Sequence, residues 1–272
     1  MCTRLFLFVA LCLHFTTSMG QRNLQKTTVK ISPYHTSGAF LQLPDDYSST
    51  NKKYPLILFL HGKSKSGSDL DKLTLEGIPF WLDKGLQLSA VNPVDKQLYK
   101  FITIAPQALN WGLSPAAVNQ VLNDVIARYR VDVSRIYITG YSAGGWATMM
   151  AITDNQQLTS RFAAAVPMSP ANIEDSNLVH FKMIAKANLH CWYFAGSAEP
   201  HYLENVQRYI DSTNKYKTGL TRLTDQQQRH CCWKQFYDPH FKEKGMNIYE
   251  WMLQYKQGQV PVTPARSQAA TK

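Results

Sequence analysis

The segment Gly140-Tyr141-Ser142-Ala143-Gly144-Gly145 follows directly on the apolar run Ile136-Tyr137-Ile138-Thr139. A serine on a sharp turn from strand to helix is held with its hydroxyl above the sheet edge. Glycines two before and two after it remove side chains that would collide there. The helix that Ala143 opens presents unsatisfied backbone N–H groups, which suits an oxyanion. The chemistry to expect is nucleophilic attack by Ser142 on a carbonyl carbon. The bare pattern G-x-S-x-G also occurs as a glycine-rich turn, so the strand before it and the helix after it carry the catalytic reading. A second element, His61-Gly62-Lys63, ends the apolar run Leu56 to Leu60. A loop at that place can aim a backbone N–H at the same oxyanion, and Lys63 with Ala143 forms the expected donor pair. His61 is read as a buried residue hydrogen-bonded within its loop.

Positioning these groups requires a sheet with one common edge. Continuous apolar runs of strand length occur at Tyr54 to Leu60, Phe101 to Ala105, Ile136 to Thr139, Phe162 to Val166 and Leu189 to Ala195, with a shorter strand from Gly38. Runs buried on both faces are what a parallel sheet needs. Ser114 as cap, Pro115 at the first helical position, and Val118, Val121, Leu122, Val125, Ile126 and Tyr129 at spacings of three and four mark a helix between two of them. Further helices are read at Ala143 to Thr153, Leu203 to Ile210 and Ile248 to Tyr255. This alternation predicts an α/β fold, a mostly parallel, doubly wound sheet with helices on both faces.

Composition narrows the class. The chain has 272 residues, 44% of them hydrophobic, enough for one substantial core. Its formal net charge is +10, but Lys and Arg are scattered with no basic stripe interleaved with aromatics, so no nucleic-acid partner is expected. Arg4, the apolar run Leu5 to Phe15, and Ser18-Met19-Gly20 read as a signal peptide over residues 1–20. That run is too short for a stable membrane span, and a secreted or periplasmic location follows. Residues 21–257 form the expected catalytic domain and 258–272, rich in Gly, Pro, Thr, Ser and Ala, a tail or linker. No His/Cys spacing suggests a metal, and the expected chemistry needs no cofactor.

Several segments together resemble a family of secreted α/β-hydrolase esterases that includes feruloyl esterases and polyhydroxybutyrate depolymerases. They are Leu58-Phe59-Leu60-His61-Gly62, Ala105-Pro106-Gln107 with Trp111, Val131-Asp132 through Arg135-Ile136-Tyr137 into the Ser142 turn, and Phe162 to Pro167. The resemblance spans roughly Gly38 to Lys256. It implies a triad in the chain order serine, acid, histidine, with the histidine in a His-x-x-Trp loop, matched here by His230-Cys231-Cys232-Trp233. It places the acid after the strand Leu189 to Ala195, where Gly196-Ser197-Ala198-Glu199 carries glutamate in place of the usual aspartate. Glu199 is the expected acid, with Glu174, Asp175 and Asp225 as rivals. In the same fold the strand ending near Ala195 neighbours the one leading to His230. The expected disulfide is therefore Cys191 with Cys231 or Cys232; a bond between the adjacent cysteines and three free thiols are the alternatives.

Trp111, Tyr141 and Trp233 fall in loops at the carboxyl ends of strands and are read either as pocket walls for a sugar or aryl group or as packing anchors. The substrate suggested by the resemblance is an acetyl or feruloyl ester of a polysaccharide, or a small-molecule ester. Two other readings compete. A serine peptidase of prolyl oligopeptidase type shares fold and triad but normally adds a propeller, for which 272 residues leave no room. A non-catalytic binding module would be expected to lose Ser142 or His230, and both are present. Cleavage of the leader gives a mature chain starting near Gln21; intact-mass measurement of exported protein that still carries Met1 would contradict this.

Overall fold

The computed structural model describes residues 24–258, so the expected signal peptide over residues 1–20 and nearly all of the expected tail lie outside the described residues. Among the described residues there are ten strands: β1 (Leu24–Lys30), β2 (Thr36–Gln42), β3 (Tyr54–Leu60), β4 (Ser89–Val91), β5 (Leu98–Lys100), β6 (Ile102–Pro106), β7 (Val131–Tyr141), β8 (Ala164–Met168), β9 (His190–Gly196) and β10 (Thr221–Gln226). Seven α-helices accompany them: α1 (Gly77–Asp83), α2 (Pro115–Arg128), α3 (Ala143–Asp154), α4 (Gln156–Thr159), α5 (Lys182–Lys186), α6 (Pro200–Asn214) and α7 (Ile248–Leu253). Eight strands form one sheet in the order β1-β2-β6-β3-β7-β8-β9-β10. From β6 to β10 all pairings are parallel, while β1 and β2 join antiparallel at one edge. Strands β4 and β5 form a separate antiparallel hairpin.

All seven residues of β3 are buried, and the reason is visible in how they alternate. Leu56, Leu58 and Leu60 enter one apolar cluster with Val118, Val121 and Val125 of α2, Met149 and Ile152 of α3, and Val206 and Tyr209 of α6. Ile57 and Phe59 enter the other, with Ile78 and Leu82 of α1 and Ile248, Trp251 and Met252 of α7. A side chain of this size fully removed from water contributes about 1.5–3 kcal/mol. The expected apolar runs are therefore central strands, and helix α2 begins as read: the Ser114 side chain accepts from Ala117 N, and Pro115 occupies the first turn.

The residue pattern does not mark β1, β10, the β4–β5 hairpin or the short helices α1, α4 and α5; of these, only a strand before His230 is expected, from the family resemblance. Thr221-Arg222-Leu223-Thr224-Asp225-Gln226 pairs on one side, with β9, and Leu24–Lys30 pairs only with β2. Such edge strands keep one row of backbone groups and many side chains in water, so their sequences lack the apolar run that marks a central strand.

At the start of β9 the His190 ring stacks on Tyr255 with centroids 4.0 Å apart, and its Nε2 is buried without a hydrogen-bond partner. Burial, reinforced by Lys217, pushes this imidazole down from 6.5 to about 4. Between those values the unfolded chain binds a proton that the fold excludes, so stability is complete above pH 6.5 and falls as pH drops toward 4. His190→Phe is expected to keep the stack and flatten this decline. Calorimetric melting of both proteins across that range tests it, and parallel declines would contradict it.

Candidate active site

The turn after β7 puts Ser142 at φ 55° and ψ −117°, a region that a non-glycine residue occupies only under constraint. Three backbone contacts impose it. Ser142 N donates to Met168 O at 2.9 Å, Trp146 N donates to Ser142 O at 2.9 Å, and the first turn of α3 lies directly against β3. A Cβ on Gly144 would collide with the Leu60 carbonyl, so only glycine fits that approach. Ser142 is left half-buried, with its hydroxyl at the carboxyl edge of the sheet.

His230 and Glu199 arrive there from separate segments. Glu199 caps α6 just past β9, and His230 lies in the loop between β10 and α7. Ser142 Oγ is 2.8 Å from His230 Nε2, and His230 Nδ1 is 2.7 Å from Glu199 Oε2. A carboxylate on Nδ1 keeps the ring proton on that side and leaves Nε2 free to accept from the serine. Glu199 is 7% exposed, and its second oxygen is satisfied by the Ser169 hydroxyl and by Gly196 N at 3.3 Å. Such an arrangement can transfer a proton from Ser142 to His230 as the oxygen attacks a carbonyl.

The rival carboxylates lie elsewhere. Asp175 pairs with Arg208 and Asp225 accepts from Ser197 N at 2.8 Å, while Glu174 is exposed at the start of the 3₁₀ turn Asp175–Phe181, where its side chain makes no cap bond. Ser169 is the site residue that sequence reasoning missed. It follows β8 directly, has φ 39°, is fully buried and donates its backbone N–H to Phe194 O at 2.7 Å. Its place at a strand end beside the strand bearing the acid is the only signal the sequence offered.

Lys63 begins the 3₁₀ turn Lys63–Lys65 and Ala143 begins α3. First-turn N–H groups have no acceptor within their own helix, so both are free to face an oxyanion. The loop that carries Lys63 is held by His61, which is 3% exposed. Its Nδ1–H donates to Gly62 O at 2.8 Å and its Nε2 accepts from Ala108 N at 2.8 Å. Burial lowers the pKa of this imidazole, which keeps it neutral, as the second of those bonds requires.

The three aromatics divide. Tyr141 and Trp233 are 2% and 7% exposed and stack on each other at 4.5 Å. A Cβ on Gly62 would meet the Tyr141 ring at 2.5 Å, so Tyr141 is a floor under the His61-Gly62 loop. The reading of Tyr141 and Trp233 as pocket walls is thereby corrected to that of packing anchors, because each spends its ring area on the other and on the core. Trp111 does reach solvent, at 38% exposure. It stands edge-on to Trp146 at 6.3 Å, with the Lys63 ammonium 5.6 Å from its ring.

A model of the prolyl oligopeptidase family (Peptidase S9) matches residues 118–219, less than half of the chain, a stretch that holds Ser142 and Glu199 but stops before His230. No curated protein sequence gives a significant match. Among solved structures, a thermostable esterase superposes with a TM-score of 0.61 at 20% identity over 86% of this chain. The chain spans 63% of that protein's length. The chain has the α/β-hydrolase fold. An S-formylglutathione hydrolase from Staphylococcus aureus shares that fold at TM-score 0.53 and 17% identity, over 76% of this chain and 92% of its own. A puromycin-hydrolysing peptidase from Mycobacterium tuberculosis does so at TM-score 0.56 and 15% identity, over 78% of this chain and 37% of its own. In this fold Ser142, Glu199 and His230 sit at the carboxyl ends of parallel strands or in the loops beyond them, where open sheets of this kind bind ligands.

The cysteines differ from expectation. Cys231 and Cys232 are bonded to each other, and Cys191 is a buried free thiol. Cys191 lies within β9 and packs in the same cluster as Ala165 and Ala195, so its side chain faces the core and not the histidine loop. Burial pushes its thiol up to about 12. Alkylation of folded protein should therefore spare Cys191, and denaturation without reductant should expose it alone, with Cys231 and Cys232 following only after reduction. Peptide mass mapping reads this directly, and alkylated Cys231 in the unreduced sample would contradict the pairing.

Proposed function

We propose that the protein is an exported serine hydrolase of carboxylic esters, in which Ser142 is the nucleophile, His230 the base and Glu199 the acid. The observation that carries this reading is the hydrogen-bonded line from Ser142 through His230 to Glu199, at 2.8 and 2.7 Å, with the serine in the constrained conformation of a nucleophile turn. Ser142 attacks the ester carbonyl while its proton passes to His230 Nε2. The resulting imidazolium is stabilised by the Glu199 carboxylate, and the tetrahedral oxyanion is held by the N–H groups of Ala143 and Lys63. The protonated histidine gives its proton to the departing alcohol. Water then attacks the acyl-enzyme with the same histidine as base, releasing the acid and restoring Ser142.

The ester in this reading is an acetyl or feruloyl ester of a polysaccharide. Its support is the resemblance of the motifs around Ser142 and His230 to secreted esterases, together with the exposed Trp111 ring beside α3, a surface on which a sugar or aryl group can stack. A second reading, peptide hydrolysis, is favoured by the partial match to the prolyl oligopeptidase family.

Purified protein assayed on p-nitrophenyl acetate, a feruloyl ester and a peptide anilide separates the two. Turnover of the esters and not of the anilide is expected, with Ser142→Ala or His230→Gln lowering kcat by about four to six orders of magnitude. Glu199→Gln should lose turnover by orders of magnitude. Glu199→Asp, one methylene too short to hold both His230 and Ser169, should remain poorly active. Ester turnover that survives Ser142→Ala would overturn the mechanism, and efficient cleavage of the anilide alone would favour the peptidase.

A further inference from the structure

The hydrogen bonds of His230 to Ser142 and Glu199 both act at its ring nitrogens and so lie close to the plane of the imidazole. They fix where the two nitrogens point but resist tilting out of that plane only weakly, since an N–H···O bond bends at small cost. What lies on the faces of the ring therefore matters to its aim. Trp233 meets the ring edge to face, with centroids 4.8 Å apart and planes at 84°. Tyr202 lies flat on it, with centroids 4.1 Å apart and planes at 16°.

Tyr202 comes from the same helical turn as the acid. Glu199 caps α6, Pro200 begins it, and Tyr202 N donates to Glu199 O at 2.9 Å. Residues three apart at a helix start fall on one side of it. One turn of chain thus delivers a carboxylate to the edge of the imidazole and a phenol to its face. The Tyr202 ring does two things there. It excludes water from one side of the base, and it presents a π-face to a ring that becomes cationic when Ser142 gives up its proton. A cation over an aromatic face is attracted, and more strongly where water is displaced.

We propose that Tyr202 is a positioning residue for the base, holding the His230 ring in the plane of its two hydrogen bonds and favouring its protonated form during acyl transfer. The proposal rests on the reading of Ser142 as nucleophile and His230 as base. The ring face is what acts, and the hydroxyl plays no part. Tyr202 is half-buried and lies outside both apolar clusters, so its replacement leaves the core intact.

The test compares wild type, Tyr202→Phe and Tyr202→Leu, with Tyr202→Met as a further ringless variant should the leucine variant melt at a lower temperature. A fluorophosphonate probe reacts with the serine through the histidine whatever the natural substrate, and its labelling rate is read beside kcat and KM for p-nitrophenyl acetate. Tyr202→Leu is expected to lower both kcat and the labelling rate by roughly 10- to 100-fold with KM nearly unchanged, while Tyr202→Phe stays within about threefold of wild type. The far-downfield proton resonance of His230 Nδ1–H should be sharp in wild type and Tyr202→Phe and broadened in Tyr202→Leu. Wild type that takes up no probe at Ser142 would remove the underlying reading. Labelled wild type with equally fast Tyr202→Leu would overturn this proposal alone. So would a change confined to KM, which would make Tyr202 a substrate contact, and so would an equal loss in Tyr202→Phe, which would make the hydroxyl the active part.

Discussion

The approach of α3 to β3 is the constraint on which the remaining geometry depends. Gly144 lies against the Leu60 carbonyl so closely that no side chain could be added, and this sets the depth at which the helix meets the sheet. Ser142 is forced to φ 55° as a result, a conformation that costs on the order of 1–3 kcal/mol. The strain is offset by what the same approach makes possible. Ala147, Met149, Ala151 and Ile152 of α3 enter the core, and the backbone of Ser142 is hydrogen-bonded on both sides. Because β3, β7, β8 and β9 run parallel, their carboxyl ends share one edge. The Lys63 turn, the Ser142 turn, Ser169 and Glu199 therefore reach the same place without any long excursion of the chain.

His230 is held differently. It belongs to no strand or helix, so no backbone ladder determines its place, and side-chain contacts must do so. Glu199 binds its edge and Trp233 stands beside it, itself stacked on the Tyr141 ring that supports the His61-Gly62 loop. One aromatic layer thus lies under both His230 and the His61-Gly62 loop. Glu199 is equally constrained, since a buried carboxylate left without donors is strongly unfavourable. Ser169, Gly196 and His230 supply its donors, and Ser169 is in turn approached by Gln226 Nε2 at 3.4 Å. The polar chain runs from Ser142 across β7, β8 and β9 to β10, which ties the far edge of the sheet to the cluster at its centre.

How much of this the sequence determined by itself follows from the range of the forces involved. The Ser142 turn is local: glycines at fixed offsets, a strand before and a helix after express steric limits within about ten residues, and they are legible without a fold. The central strands are legible too, because burial on both faces demands an unbroken apolar run. Edge strands β1 and β10 were not, since half of their surroundings is water. What only the tertiary structure decided are pairings between segments far apart in the chain. Whether a carboxylate reaches a histidine 31 residues away, whether Tyr141 and Trp233 face a pocket or each other, and whether Cys191 points to the core or to the His230 loop depend on strand register and on which face a side chain takes. Ser169 and Tyr202 belong with these. Each is an ordinary residue in the text of the chain, and each gains its role from standing within about 4 Å of a group that a different loop delivers.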